Sequence, residues 1–421
     1  MLSGTRGTDG TLRHIAVVGA SHTGIAAAET LRRQGFDGRL TLVDAGRDIP
    51  PGLDAEPLPN TTAEGLDLTS RTGRSGRTGR TGGSVRLSGG GRDLDFDGLI
   101  ITTGAEARRP AGLRSGHPAV FALRTSEDSL DSLDAEDSVA LRAALSGSPR
   151  VAVVGAGFTG CEIASYCRTR GLDVTVVESA AAPLQRVLGK AMGRELADLH
   201  RDHGTVMTTG TPAVSLRPDG VVTADGALVP ADVVVIAAGR APRTAWLRGS
   251  GLDIGDGVLL DATCAAVAAV APVATVGVWR PSVRVPRVVA AGSVARWYNP
   301  LFGEVMRVEH RADALAQAVA AADTLLADGE CAMPFESVPY FRLEQYGTEI
   351  QFAGLATGVP HLLAGALAER RFVAVYTDGQ HVTGALCVNA PSQFERYRRM
   401  VAARSPTDVV FAPPTMFKSA V

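Results

Sequence analysis

Two short stretches of the 421-residue chain have the spacing of a phosphate cradle: Gly19-Ala20-Ser21-His22-Thr23-Gly24 and Gly155-Ala156-Gly157-Phe158-Thr159-Gly160. In the second, Gly155 permits a tight turn after a strand, Gly157 lets a pyrophosphate approach the backbone, and Gly160 lets the next helix pack closely on the strand. The N-terminus of that helix then presents unpaired N–H groups and the positive end of its dipole to phosphate. About twenty residues beyond each turn stands an acid, Asp44 and Glu178, suited to accept hydrogen bonds from a ribose diol. No arginine follows Glu178 directly to hold a 2′-phosphate, so the second site is expected to take NAD rather than NADP. Ser21 replaces the middle glycine of the first turn, which puts a side chain where the pyrophosphate would come closest, although its hydroxyl can still donate to phosphate.

Such turns need a strand before them and a helix after them. Residues 15–18 are an apolar β-type run, an alanine-rich helical stretch reaches about Gln34, and residues 40–43 form a second strand ending at Asp44. The same order recurs in residues 151–154, a helix from about Cys161 to Thr169, and residues 174–177 ending at Glu178. Each unit is followed by another apolar strand that stops at a glycine, one at Thr103-Gly104 and one at Gly239. This duplication predicts an α/β fold with two nested Rossmann-like dinucleotide-binding domains. From about Ala332 short strands (372–376, 382–388) and a helix near 392–403 predict a C-terminal α+β domain. The expected division is 1–125 with 255–330 for the first domain, 126–254 for the second and 331–421 for the third.

Composition excludes other classes. With 45% hydrophobic and 20% charged residues the chain is globular, and a net charge of −2 gives no reason to expect nucleic acid or an anionic membrane as partner. No apolar run reaches the roughly 20 residues needed to span a bilayer. Residues 1–14 lack the apolar core of a signal peptide. The five cysteines form no CxxC pair and no metal-like cluster, which fits reduced thiols in the cytoplasm and no metal site. Residues 70–84, rich in arginine, threonine and glycine, read as an expanded hairpin turn rather than a nucleic-acid arm, since no aromatic residues are interleaved for stacking. The acidic segment 127–137 reads as a solvated loop or helix start, and 264–279 as buried chain or an irregular insertion.

The motifs VVGASHTG (17–24), ITTGAEARRP (101–110), LRT (123–125), VVGAGFTGCEIA (153–164), AAGSVARWYNPLFGE (290–304), RVEH (307–310) and VPYFRLEQY (338–346) together resemble the FAD- and NAD(P)-dependent pyridine nucleotide oxidoreductases. The resemblance is to their ferredoxin and rubredoxin reductase branch and covers nearly the whole chain. It implies that the first Rossmann domain binds FAD, the second binds NADH, and the C-terminal domain covers the flavin and adds to a ferredoxin-facing surface. Hydride would pass from nicotinamide to flavin, and single electrons to an iron–sulfur partner. The cofactor-binding residues implied are Gly19, Ser21, Gly24, Asp44, Thr103, Gly104, Arg124, Gly292 and Ser293 on one side and Gly155, Gly157, Gly160, Glu162, Glu178 and Gly239 on the other, with Glu309 and His310 as the nicotinamide-side pair. A redox-active CxxxxC pair is missing, as in that branch, which argues against a disulfide reductase.

The chain departs from the family pattern on the flavin side. Ser293 stands where an aspartate is expected to bind the ribityl chain, residues 48–62 bring no lysine to the ring, and Arg311 and Arg342 replace two tryptophans. These changes set an alternative beside the reductase: a flavin-impaired homologue that keeps NAD and serves another biosynthetic reaction on a small-molecule substrate, or a non-catalytic relative that binds a partner. Glu309 and His310 are weak candidates for acid–base work, and Arg311 and Arg342 for receiving an anionic substrate. Cys161, near a helix N-terminus, is either a thiol of lowered pKa or a packed, inert one. Homodimerisation is left open.

Overall fold

The computed structural model describes residues 12–46, 52–68, 82–89, 93–122, 135–269, 283–327 and 331–411, with backbone alone for 135–139. The chain forms two compact units, Met1–Glu106 with Ala241–Ser337, and Ala107–Arg240 with Val338–Val421.

In the first unit a nine-stranded sheet has a parallel centre. Strand His14–Val18 lies between Arg39–Val43 and Gly98–Ile101, with Glu56–Leu58 outside the former and Arg284–Ala290 outside the latter. Ile15, Ala16 and Val17 are fully buried, as expected of parallel strands covered on both faces. Helices His22–Arg33 and Arg311–Leu326 pack together, and alanines at 27, 28, 318, 321 and 322 bring them close to each other and to the sheet.

The second unit repeats this order strand for strand: Val120–Ala122, Val233–Ile236, Arg150–Val154, Asp173–Glu178 and Val206–Thr209, all parallel. The helix after its glycine turn is Phe158–Thr169. It begins three residues before the apolar pattern suggests, because the first turn is set by the cap at Gly157 and not by burial. Residues 338–411 add a five-stranded antiparallel sheet and the helix Pro391–Ala402. The strands Arg371–Thr377 and Val382–Val388 contain the two expected runs.

That sheet shares one apolar core with the second dinucleotide-type fold. Phe341, Phe352, Phe372 and Leu386 cluster with Cys161, Ile163, Leu188 and Leu196. Phe158 meets Phe341 edge to face at 4.7 Å, and the Tyr376 hydroxyl donates to Leu188 O at 2.7 Å. Most of the arginine-rich tract lies outside the described residues, but the strands that flank it, Ala63–Asp67 and Gly83–Leu87, pair antiparallel with Asp67 opposite Ser84, as hairpin arms do. The LRT motif with Arg124, most of the acidic segment and 270–282 also lie outside the described residues. Among the described residues no helix is long and apolar enough to cross a membrane, and no His, Cys, Asp and Glu group is arranged to hold a metal.

A polar cluster crosses the shared core. His200, fully buried, places Nδ1 2.9 Å from the Tyr346 hydroxyl, which also lies 2.9 Å from Thr205 Oγ1. The Tyr346 N–H donates to Ser165 Oγ, and His203 stacks on the Tyr346 ring at 4.1 Å. Burial pushes His200 down to about 4 and the Tyr346 phenol up to about 12. An unfolded histidine titrates near 6.5, so between these values the unfolded chain binds the extra proton, and the stability present above pH 6.5 is lost as pH falls toward 4. Denaturant unfolding should therefore show about 2 kcal/mol less stability at pH 5 than at pH 7.5 from this group. The loss should be absent from His200→Asn; the same pH dependence in both proteins would contradict the burial argument.

Candidate functional site

Each glycine turn is built by close backbone approaches. Gly19 and Gly155 have φ of +107° and +101°, and a Cβ on either would stand 2.3 Å from Thr102 O or 2.4 Å from Ala237 O. A Cβ at Gly24 or Gly160 would stand 1.9 Å from the carbonyl oxygen of Gly19 or Gly155. These four positions are glycines because the strand, the turn and the helix touch there. Gly157 differs. A Cβ there would meet nothing within 4 Å, so its missing side chain leaves free space above the helix N-terminus. This space, not backbone strain, is what a pyrophosphate requires of the middle glycine.

Ser21 adopts the same extended backbone as Gly157, with φ/ψ of −70°/178° against −79°/−166°. Both residues cap their helices without a side-chain hydrogen bond, so the first-turn N–H groups stay available to an anion. The Ser21 side chain thus projects into the room that is open at Gly157. Beside the first turn, Gly292 comes close to Thr23, a Cβ there being 3.0 Å from Thr23 Oγ1, and its N–H donates to the buried Gln317 Oε1 at 2.8 Å. The short helix Gly292–Val294 is thereby anchored next to the helix N-terminus, with Ser293 in it. Both turns fit a dinucleotide at its pyrophosphate end; the first does so with a hydroxyl in the cradle.

The two acids do more than wait for a ribose. Asp44 Oδ1 accepts the Ala20 N–H at 3.0 Å, and Oδ2 the Gly46 N–H at 3.2 Å. Glu178 Oε2 accepts the Ala156 N–H at 2.6 Å, while Oε1 accepts from the Ala180 N–H at 2.7 Å and Ser179 Oγ at 3.1 Å. Each carboxylate braces its own glycine turn. Carboxylate oxygens offer about four lone-pair sites, so acceptors remain for ribose hydroxyls. In the first unit Thr102, which sequence reasoning passed over, also locks the turn, its hydroxyl donating to Gly19 O at 2.7 Å.

Thr103 and Gly104 follow the strand Gly98–Ile101 in the first unit, the Thr103 hydroxyl donating to Arg243 O and Gly104 O accepting the Arg243 N–H. Gly239 ends the matching strand in the second unit with φ +87° and accepts the Arg108 N–H. Glu162 lies in the second turn of the Phe158–Thr169 helix, where burial pushes its carboxyl up to about 7, so near neutral pH part of the population is protonated. Glu309 is not a free acid: Arg307, nearly buried, pairs with it and with Asp256 and donates to Ser293 O. His310 caps the helix Arg311–Leu326, with Nδ1 3.9 Å from Asp313 in its first turn. Arg342 pairs with Glu349 of the adjacent strand at 2.8 Å. Cys161 corrects one option. Its thiol is buried and pushed up, not down, by burial and by the carboxylates of Glu178 and Glu162; it is packed and inert.

Comparison with known proteins agrees with this geometry. A family model described as pyridine nucleotide-disulphide oxidoreductase matches residues 13–322, and one described as reductase C-terminal matches residues 340–415. The chain is 31% identical over 415 residues to the biphenyl dioxygenase system ferredoxin–NAD(+) reductase component of Paraburkholderia xenovorans, covering 93% of each chain. It is 30% identical over 424 residues to the anthranilate 1,2-dioxygenase system ferredoxin–NAD(+) reductase component of Burkholderia cepacia, covering 95% of this chain and 97% of that one. The crystal structure of Fdr9 resembles it with a TM-score of 0.74 at 27% identity, over 93% of this chain and 95% of that one.

The two kinds of glycine should separate in experiment. Gly157→Ser, which copies the first turn, should leave the thermal midpoint within about 1 °C, because its side chain meets open space, yet weaken NAD+ binding severalfold. Gly160→Ala should cost about 1–3 kcal/mol of stability, since its methyl meets backbone. Thermal melts and NAD+ titrations of both variants check this; a Gly157→Ser protein that melts early and binds normally would contradict the assignment.

Proposed function

The chain belongs to the pyridine nucleotide-disulphide oxidoreductase family, and from that premise we propose that it is an NADH-dependent flavoprotein reductase that passes electrons to a ferredoxin-type iron–sulfur protein. The observation that carries the proposal is the pair of matched turns, each braced by its own acid, in a chain that also carries the reductase C-terminal domain. One turn alone would serve a simple dehydrogenase. Two serve an enzyme that holds two dinucleotides, one as electron donor and one as resident carrier.

In the first unit Gly19, Ser21 and the N-terminus of His22–Arg33 would receive the FAD pyrophosphate, Asp44 the adenosine ribose, and Gly292 and Ser293 the ribityl side. Bound FAD supplies the chemistry that protein side chains lack, taking up an electron pair from NADH and giving it out as single electrons. In the second unit Gly155, Gly157 and Gly160 would seat the NADH pyrophosphate and Glu178 its ribose diol, with Glu162 and Gly239 as further cofactor contacts. Arg307 fixes the Glu309 carboxylate, which suits Glu309 to orienting a ligand more than to shuttling protons. FAD is assigned to the Rossmann-type fold of the first unit, NADH to that of the second, and the reductase-type role to 331–421; Val120–Ala122, inside the expected 1–125, pairs into the second sheet. A cytoplasmic setting fits the buried free thiols.

The absence of a carboxylate at 293 and the side chain at 21 favour one second reading, a relative whose flavin is held weakly and whose nucleotide site is retained. The purified protein distinguishes the two. The reductase reading expects one extractable flavin per chain and NADH-dependent reduction of ferricyanide, with NADH preferred to NADPH by at least about tenfold. Protein without flavin that binds NAD+ would instead establish the second reading.

A further inference from the structure

The strand order of the first unit sets the direction in which a dinucleotide crosses it. Asp44 follows the strand Arg39–Val43 on one side of His14–Val18, while Gly292 and Ser293 follow Arg284–Ala290 on the other side, beyond Gly98–Ile101. A ligand with its adenosine ribose at Asp44 therefore crosses the glycine turn and leaves it beside Gly292. Thr23 stands at that exit. It is the second residue of the helix His22–Arg33 and partly exposed, and a Cβ on Gly292 would lie 3.0 Å from Thr23 Oγ1 and 3.1 Å from its Cγ2. The Gly292 N–H is already taken by Gln317 Oε1, at 2.8 Å, and so is not free for a ligand.

Nearby threonine hydroxyls are used by the protein itself. Thr30 donates to Ala26 O at 2.7 Å, one turn back along the same helix, and Thr102 donates to Gly19 O. Thr23 Oγ1 has no hydrogen-bond partner among the described residues. It lies in the first turn of a helix, where the unpaired N–H groups and the dipole favour an anion, and a hydroxyl donor there adds to the hold on a phosphate. Ser293 brings no carboxylate to the same side of the turn. We propose that Thr23 is a further binding residue of the first unit, its hydroxyl donating to the flavin-side phosphate of FAD and offsetting part of the hold that a carboxylate at 293 would give. The inference rests on the reading of the first unit as the FAD site.

Titration of the full-length protein, freed of flavin, with FAD and followed by flavin fluorescence tests it. Thr23→Val keeps the branched shape against Gly292 and should bind FAD about tenfold more weakly than the parent protein. The thermal midpoint of the flavin-free variant should stay within about 1 °C of the parent, because no protein hydrogen bond is lost. Thr23→Ser keeps the hydroxyl and should bind FAD within about twofold of the parent. In FAD-saturated protein the phosphorus NMR signal of the flavin-side phosphate should shift in Thr23→Val and return in Thr23→Ser, while that of the adenosine-side phosphate stays in place. FAD affinity unchanged in Thr23→Val, a Thr23→Ser protein as weak as Thr23→Val, or a flavin-side phosphorus signal that does not move would each overturn the role of Thr23 while leaving the FAD site intact. A parent protein that binds no FAD would overturn the flavin reading, and the role of Thr23 with it.

Discussion

Both dinucleotide-type folds depend on a contact too close for any side chain. Where the helix after each turn crosses the strand before it, a Cβ would stand 1.9 Å from a carbonyl oxygen, so only glycine lets the helix N-terminus reach the end of the strand. That contact aims the unpaired N–H groups and the dipole at one point in space. The strand-end carboxylate then holds the turn by the N–H of its second residue, Ala20 in one unit and Ala156 in the other. The glycine turn, the strand-end acid and the packing of helix on sheet are therefore one coupled arrangement, built twice.

The two copies differ where the ligand would lie and agree where the fold needs them to. Gly19, Gly24, Gly155 and Gly160 are required by backbone contacts, and all four are present. Gly157 borders open space, and at the matching position 21 the first copy carries a serine. The carbonyl oxygen of Ser293 accepts from Arg307. A side chain at the position of Gly157, where a Cβ meets nothing within 4 Å, spares the helix–strand contact that the fold needs. A chain can therefore keep the reductase architecture while the hold on its flavin is altered.

Much of this was legible in the sequence. Parallel strands buried on both faces appear as unbroken apolar runs, and the glycine spacing marks the turns between them, so His14–Val18, Arg150–Val154 and the strands ending at Gly104 and Gly239 are recognisable without coordinates. The antiparallel strands 371–377 and 382–388 and the helix after them are equally plain. What sequence did not reveal are pairings between distant residues. The bracing of each turn by its acid and the grip of Arg307 on Glu309 have no local signature, because an acid or an arginine looks the same whether it bonds a ligand or the protein. The core shared by the C-terminal sheet and the Phe158–Thr169 helix was hidden for the same reason, since an apolar face does not state what covers it.

In the proposed reductase one chain holds two dinucleotides with distinct duties, one bringing electrons and the other storing them. Anaerobic titration of the flavin-loaded protein with NADH, followed in the visible spectrum, tests this most directly. The flavin band should bleach to completion at about one equivalent of NADH per chain, and an oxidised ferredoxin-type protein should restore it. A flavin band that NADH leaves unchanged, in protein shown to bind NAD+, would contradict it.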